Sequence, residues 1–88
     1  MELTVNVTDS DIANGVASDC RECPIALAIG RLLSSSIVSV GYNTISVEIK
    51  GKFYYGNLPD KATRFIFMFD KGQQVSPFTF SLALKSRM

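Results

Sequence analysis

"SIVSVGYNTISVEIKGKFYYG", Ser36 to Gly56, is the stretch on which the fold turns. Its apolar residues take up a period of two, with Ile37, Val38 and Val40 and then Ile45, Val47 and Ile49, Ile37 being the one adjacent to another. Alternation of this kind puts one side of an extended chain on a core and leaves the other to water, so the stretch predicts two half-buried strands. "GYNT", Gly41 to Thr44, is a hairpin turn between them, and a second turn at Lys50 to Lys52 leads into a short third strand, "FYYG".

Working towards the N-terminus, the triple serine at Ser34 to Ser36 marks a change of period. Before it, "PIALAIGRLL" carries Ile25, Ala28, Ile29 and Leu32 at helical spacing behind Pro24. Proline suits the first position of a helix, where its missing N–H has no intrahelical partner to lose. Further back, "TDSDIANG" offers Thr8 or Asp9 as an N-cap and Gly15 as a stop, which predicts a single helical turn or a tight loop. Leu3, Val5 and Val7 alternate with polar residues as a first strand.

Towards the C-terminus, "LPDKATRFIFMFDKG" predicts a second helix, with Ala62, Phe65, Ile66 and Phe69 on one face and Gly72 just past its end. "VSPFTFSLAL" then alternates Phe78, Phe80, Leu82 and Leu84 as a last strand, and Pro77 places its start at an edge or a bulge. The order strand, helix, strand, strand, helix, strand predicts a single α+β domain over residues 1–88, an antiparallel sheet with two helices on one face. A ferredoxin-like βαββαβ arrangement is the expected form. Its rival is an α+β meander in which "FYYG" makes the sheet five-stranded.

Composition narrows the function classes. The chain has 88 residues, a formal net charge of +1 and no histidine. Nine basic and eight acidic residues are scattered without long runs of one sign, which gives no electrostatic reason to expect a polyanion as partner. The opening "MELTVNV" is not a basic region followed by an apolar stretch, and no segment is apolar for the ~20 residues that span a bilayer. A cytosolic protein without membrane contact is the expectation.

Chemistry has few places to reside. Without histidine the usual general base and the usual metal ligand are both missing. Serines and threonines have no base beside them in any recognisable pattern, and neither "VGYNT" nor "DKGQQ" has the context of a phosphate loop. No enzymatic activity and no cofactor are expected. Cys20 and Cys23, in "SDCRECP", are the only cysteines. Three readings compete for them: a redox pair, half of a zinc site completed by the same two residues of a second chain, or two buried thiols under the first helix. Asp19 and Glu22 oppose a thiolate and only Arg21 favours one, and one C-x-x-C supplies half the ligands of a closed zinc site, so the buried reading leads.

The runs "DIANGVASDCRECPIALAI" and "FIFMFDKGQQVSPFTFSL" resemble a group of small uncharacterised proteins encoded by tailed bacteriophages. The shared pattern is Ile-x-x-Gly, then Cys-x-x-Cys-Pro-Ile/Val-Ala-Leu-Ala, then Phe-Asp-x-Gly and Val-x-Pro-Phe-x-Phe. It falls here on Ile12 and Gly15, on Cys20 and Cys23 to Ala28, on Phe69, Asp70 and Gly72, and on Val75, Pro77, Phe78 and Phe80. The middle of the chain, residues 34–57, has no counterpart in that pattern. The resemblance implies a phage origin and expression in the host bacterial cytoplasm. It assigns no site.

Three functional expectations follow. The leading one is a non-enzymatic phage accessory protein that binds a host protein, with inhibition of that protein as the further expectation, through a sheet face or edge strand. Tyr54 and Tyr55, which point to opposite faces of one strand, supply its candidate contact, because aromatic residues with a polar tip are enriched at binding hot spots. The second is a protein that sequesters a nucleotide or metabolite signal, with Arg31, Lys61, Arg64 and the "KGQQ" turn as anion contacts. The third is a single-stranded nucleic-acid module, since "KGKFYYG" resembles the basic, glycine and aromatic pattern on a central strand of RNA-recognition domains; Thr4 and Asn6 on the polar side of the first strand argue against it. A homodimer is expected as well, on the ground that one small chain has little room for Phe65, Phe67, Met68, Phe69, Phe78 and Phe80.

Overall fold

A computed structural model of the chain describes residues 1–34 and 36–86. Ser35, the middle of the triple serine, lies outside the described residues. The elements in order are β1 (Glu2–Val7), α1 (Asp9–Asn14), α2 (Pro24–Leu32), β2 (Ser36–Val40), β3 (Thr44–Ile49), β4 (Lys52–Asn57), α3 (Asp60–Asp70), β5 (Phe78–Ala83) and β6 (Lys85–Ser86). The α+β class holds, and every ladder is antiparallel.

The strands form two sheets instead of one. β1 pairs with β5, and β2-β3-β4-β6 make a four-stranded sheet in that order. The C-terminal strand joins them. Its first part runs beside β1 from Phe78↔Val7 to Ala83↔Glu2. Leu84 exchanges hydrogen bonds with Met1, and Lys85 and Ser86 then pair with Tyr55 and Tyr54 of β4. A ferredoxin-like arrangement needs a single sheet in which the first strand joins the hairpin strands; here the tail of the last strand takes the place beside β4, and β1 stays in the other sheet. "FYYG" belongs to a full strand, as the meander reading had it, but the sheet it joins is four-stranded and not the five-stranded one of that reading. α1 is a complete short helix rather than a loose turn, giving three helices in all among the described residues.

Local chemistry explains the boundaries. Thr8 caps α1 through its side chain, which accepts the Asp11 N–H, and the Asp11 carboxylate accepts the Thr8 N–H in return. Cys23 caps α2: its Sγ accepts the N–H of Ala26, and Pro24 follows at the first helical position. The β3–β4 turn has Lys50 at φ 51° and Gly51 at φ 79°, the left-handed pair that a two-residue hairpin needs to match strand twist.

One core runs through the molecule. Val5, Val7, Phe80 and Leu82 from the smaller sheet, with Leu84 at the junction, meet Val38, Val40, Ile45 and Val47 from the larger one. Ile25, Ala26, Ala28 and Ile29 of α2 and Ala62, Phe65 and Ile66 of α3 are buried in the same cluster. Both long helices therefore lie over the inner side of the strands, and the outer side of β2, β3 and β4 is left uncovered. No helix among the described residues is long and apolar enough to cross a membrane.

Candidate functional site: an uncovered sheet face

On β4 the alternation sorts three adjacent aromatic residues by face. Tyr54 turns inward and packs against the core, while Phe53 and Tyr55 stand on the outer face, 52% and 46% exposed. Register places their neighbours. Phe53 lies opposite Glu48, which lies opposite Ile37; Tyr55 lies opposite Ser46, which lies opposite Ser39, with Lys85 on its other side. Ile37 is 51% exposed, so it, Phe53 and Tyr55 give this face three uncovered apolar bodies.

Beside Tyr55 the face is hollowed into a polar depression of about 650 Å³, with hydroxyl or amide groups from Ser39, Thr44, Ser46, Asn57 and Ser86 around it. Gly56 contributes to its shape for a structural reason. A Cβ there would press on the carbonyl oxygen of Ala83, where the chain passes from one sheet to the other. Tyr55 thus stands at the edge of the polar depression, with Phe53 outside it on the same strand face.

The other residues singled out by the sequence separate into different places. Arg31 is tied down: its guanidinium makes a two-point contact with the Asp11 carboxylate at 2.5 and 2.9 Å and donates to the carbonyl of Asn6 at 3.1 Å. Burial pushes the Asp11 carboxyl up, but the hydrogen bonds from Arg31 and Thr8 outweigh it and hold the group below the ordinary carboxylate range. Arg31 thus has a structural anion already. Lys61 and Arg64, both exposed on α3, come together with Gln74 of the "KGQQ" turn around a groove on the helix side of the molecule, away from Tyr55.

The two cysteines part company too. Cys23 is buried and its thiol is pushed above its ordinary pKa, first by burial and further by the charges of Asp70 and Asp19, against the opposing pull of the Ala26 and Ile25 N–H groups. Cys20 is exposed, and its carbonyl accepts the N–H of Val40. Only one of the two thiols is therefore buried under α2, where both were expected. No group of three or more metal-ligating side chains gathers among the described residues.

Gly15 and Asp70, from the Ile-x-x-Gly and Phe-Asp-x-Gly motifs, serve the scaffold. Gly15 lies so close to Pro24 that a Cβ would come within 2.6 Å of its ring, and the Asp70 carboxylate accepts the Ser18 N–H at 2.8 Å, fastening the cysteine loop to the end of α3. Sequence reading missed Phe53 and Ile37 as surface residues, because strand alternation alone does not say which face will be covered. The chain matches no protein-family model, no curated protein and no solved structure.

Proposed function

We propose that the chain is a non-enzymatic accessory protein of a tailed bacteriophage that works in the host cytoplasm by binding a host protein on the outer face of β2-β3-β4. The observation that carries this reading is the exposure of Phe53 and Tyr55 as neighbours on a sheet face that no helix covers, with Ile37 exposed on the same face across Glu48. The non-catalytic part is supported by a chain that has no histidine to activate the exposed Cys20 thiol and by the engagement of two other groups. Asp11 is held by Arg31 and Thr8, and the Cys23 thiol is engaged as a helix cap.

Affinity capture from a bacterial lysate tests it, run in parallel with the unsubstituted chain, Tyr55→Ala and Tyr54→Ala. Tyr55→Ala is expected to keep its thermal unfolding temperature and to weaken the captured protein's affinity by about 2 kcal/mol or more, whereas Tyr54→Ala lowers the unfolding temperature. Inhibition is then assayed on the captured protein. Equal capture by all three would refute the surface. Phe53 and Tyr55 also form a pair on which bases could stack; salt-dependent oligonucleotide binding lost in Tyr55→Ala would transfer the same face to single-stranded nucleic acid.

A further inference from the structure

We propose that the groove between α3 and residues 74–76 binds a small aromatic anion, a planar ring carrying a phosphate or a carboxylate, at a site separate from the sheet face. Lys61, Arg64, Phe65 and Met68 are spaced i, i+3, i+4 and i+7 on α3, so they share one side of the helix. The chain returning towards β5 forms the second wall, and the space between is about 320 Å³, at the small end of the range for ligand pockets.

The floor favours a ring. It is made by Phe65, Met68, Val75 and Phe78. Phe78 is held between Phe65, at 4.8 Å between ring centroids, and Phe80, at 5.5 Å, and Phe80 is itself in the core. Its orientation is therefore set before anything binds, which removes part of the ordering cost of binding. A Met68 thioether beside a ligand ring adds a favourable sulfur–aromatic contact.

The rim favours an anion. Lys61 and Arg64 are one turn apart and neither has a carboxylate within ion-pair distance among the described residues, where Arg31–Asp11 is the one ion pair. No acidic side chain lines the groove. Two like charges at this spacing repel each other weakly, and a phosphate or carboxylate between them removes that repulsion. Arg and Lys beside an apolar floor select a ligand with both parts, since either part alone gains only half of the contacts.

The test is a titration of the isotopically labelled chain, followed by amide chemical shifts. The ligands are adenosine 5′-monophosphate and 2-naphthoate, with inorganic phosphate and adenosine as the controls that lack ring and charge. Saturating shifts confined to residues 61–68 and 74–78 are expected with a ring-bearing anion, and the response of the two distinguishes a phosphate from a carboxylate as the anchor. The Lys61→Gln/Arg64→Gln double variant, altered only at exposed positions, should unfold at an unchanged temperature and bind about tenfold or more weakly. Inorganic phosphate producing the same shifts would reduce the site to two surface cations and overturn the proposal. So would failure of both ring-bearing anions to saturate below about 10 mM, or an acidic aromatic peptide binding there about tenfold tighter than either. None of these outcomes depends on the Tyr55 face, so this site and the proposed function fail separately.

Discussion

Asp11 is the buried charged residue of the chain, 3% exposed among the described residues, and it performs two tasks with one carboxylate. It closes the capping box of α1 with Thr8, and it holds Arg31 of α2 against α1. Because its folded pKa lies below the ordinary value, the unfolded chain takes up the proton first as pH falls. The stabilisation is fully present above the unfolded pKa of about 3.9 and is lost as pH drops through that value towards the folded one. Thermal unfolding of Asp11→Asn is therefore expected to show a shallower loss of stability on acidification below about pH 4, and a cost near neutrality of about 1 to 3 kcal/mol. An unfolding temperature that falls with pH as steeply as in the unsubstituted chain would place the responsible carboxylate elsewhere. Cys23 offers a second test at this scale. Buried, with its thiol pushed up, it should be alkylated by iodoacetamide at least about tenfold more slowly than exposed Cys20 at mildly alkaline pH. Equal rates, followed by mass spectrometry of the two sites, would contradict its burial. Serine at position 23 is a good helix cap, so the desolvation of its hydroxyl is partly offset and Cys23→Ser should cost less than Cys23→Ala.

Among the elements, the strands and helices carry their own signals while the junctions do not. Thr8 with Asp11, Pro24 after Cys23, and Lys50-Gly51 between alternating strands are local patterns, each satisfied by neighbours within a few residues. Gly56 is different. Its sequence context reads as an ordinary strand residue, and only the passage of the Ala83 carbonyl across it forbids a side chain. Gly56→Ala should destabilise by about 1 to 3 kcal/mol, since backbone rather than a flexible side chain must give way. Gly30, inside α2 with open space where a Cβ would be, makes the control. Gly30→Ala is expected to stabilise by about 0.5 to 1 kcal/mol through helix propensity. Chemical unfolding of the two variants decides the matter, and a neutral Gly56→Ala would mean that the two sheets do not meet there in solution.

For the whole molecule, the crowding of phenylalanines that suggested a dimer is largely relieved inside one chain. Phe65 and Phe80 are buried, and Phe69 and Phe78 pack against the core. Phe67 is left at the surface, with the Lys71 ammonium 4.5 Å from its ring centre and Tyr42 beside it along a shallow hollow. We propose a homodimer contact there, on the side of α3 that carries Phe67 and next to Arg64, which lines both this hollow and the groove beside residues 74–76. Light scattering at micromolar concentration should give twice the chain mass, and Phe67→Ser the single mass, with Tyr55→Ala unchanged. A single mass for the unsubstituted chain would remove the dimer and leave the proposed partner surface intact.

Most of the elements, though not β6 or the full extent of α1, could be read along the chain, because periodicity, caps and turns are local. Alternation at residues 37–49, helical spacing at residues 25–32 and 62–69, and the glycine and proline boundaries all place structure that forms from near neighbours. The pairing of those elements was decided by tertiary structure. Whether β1 or the tail of the last strand lies beside β4 depends on backbone hydrogen bonds that any residue can make, so side-chain pattern barely distinguishes the two arrangements. The candidate surfaces follow from that choice. Tyr54 and Tyr55 were legible as opposites, but which of them meets the core depends on the side from which α2 and α3 cover the sheet. Lys61, Arg64 and Gln74 meet, and Arg31 does not join them, because the distance between charges is set by how helices pack and by which carboxylate is nearest, neither of which is written in spacing along the chain.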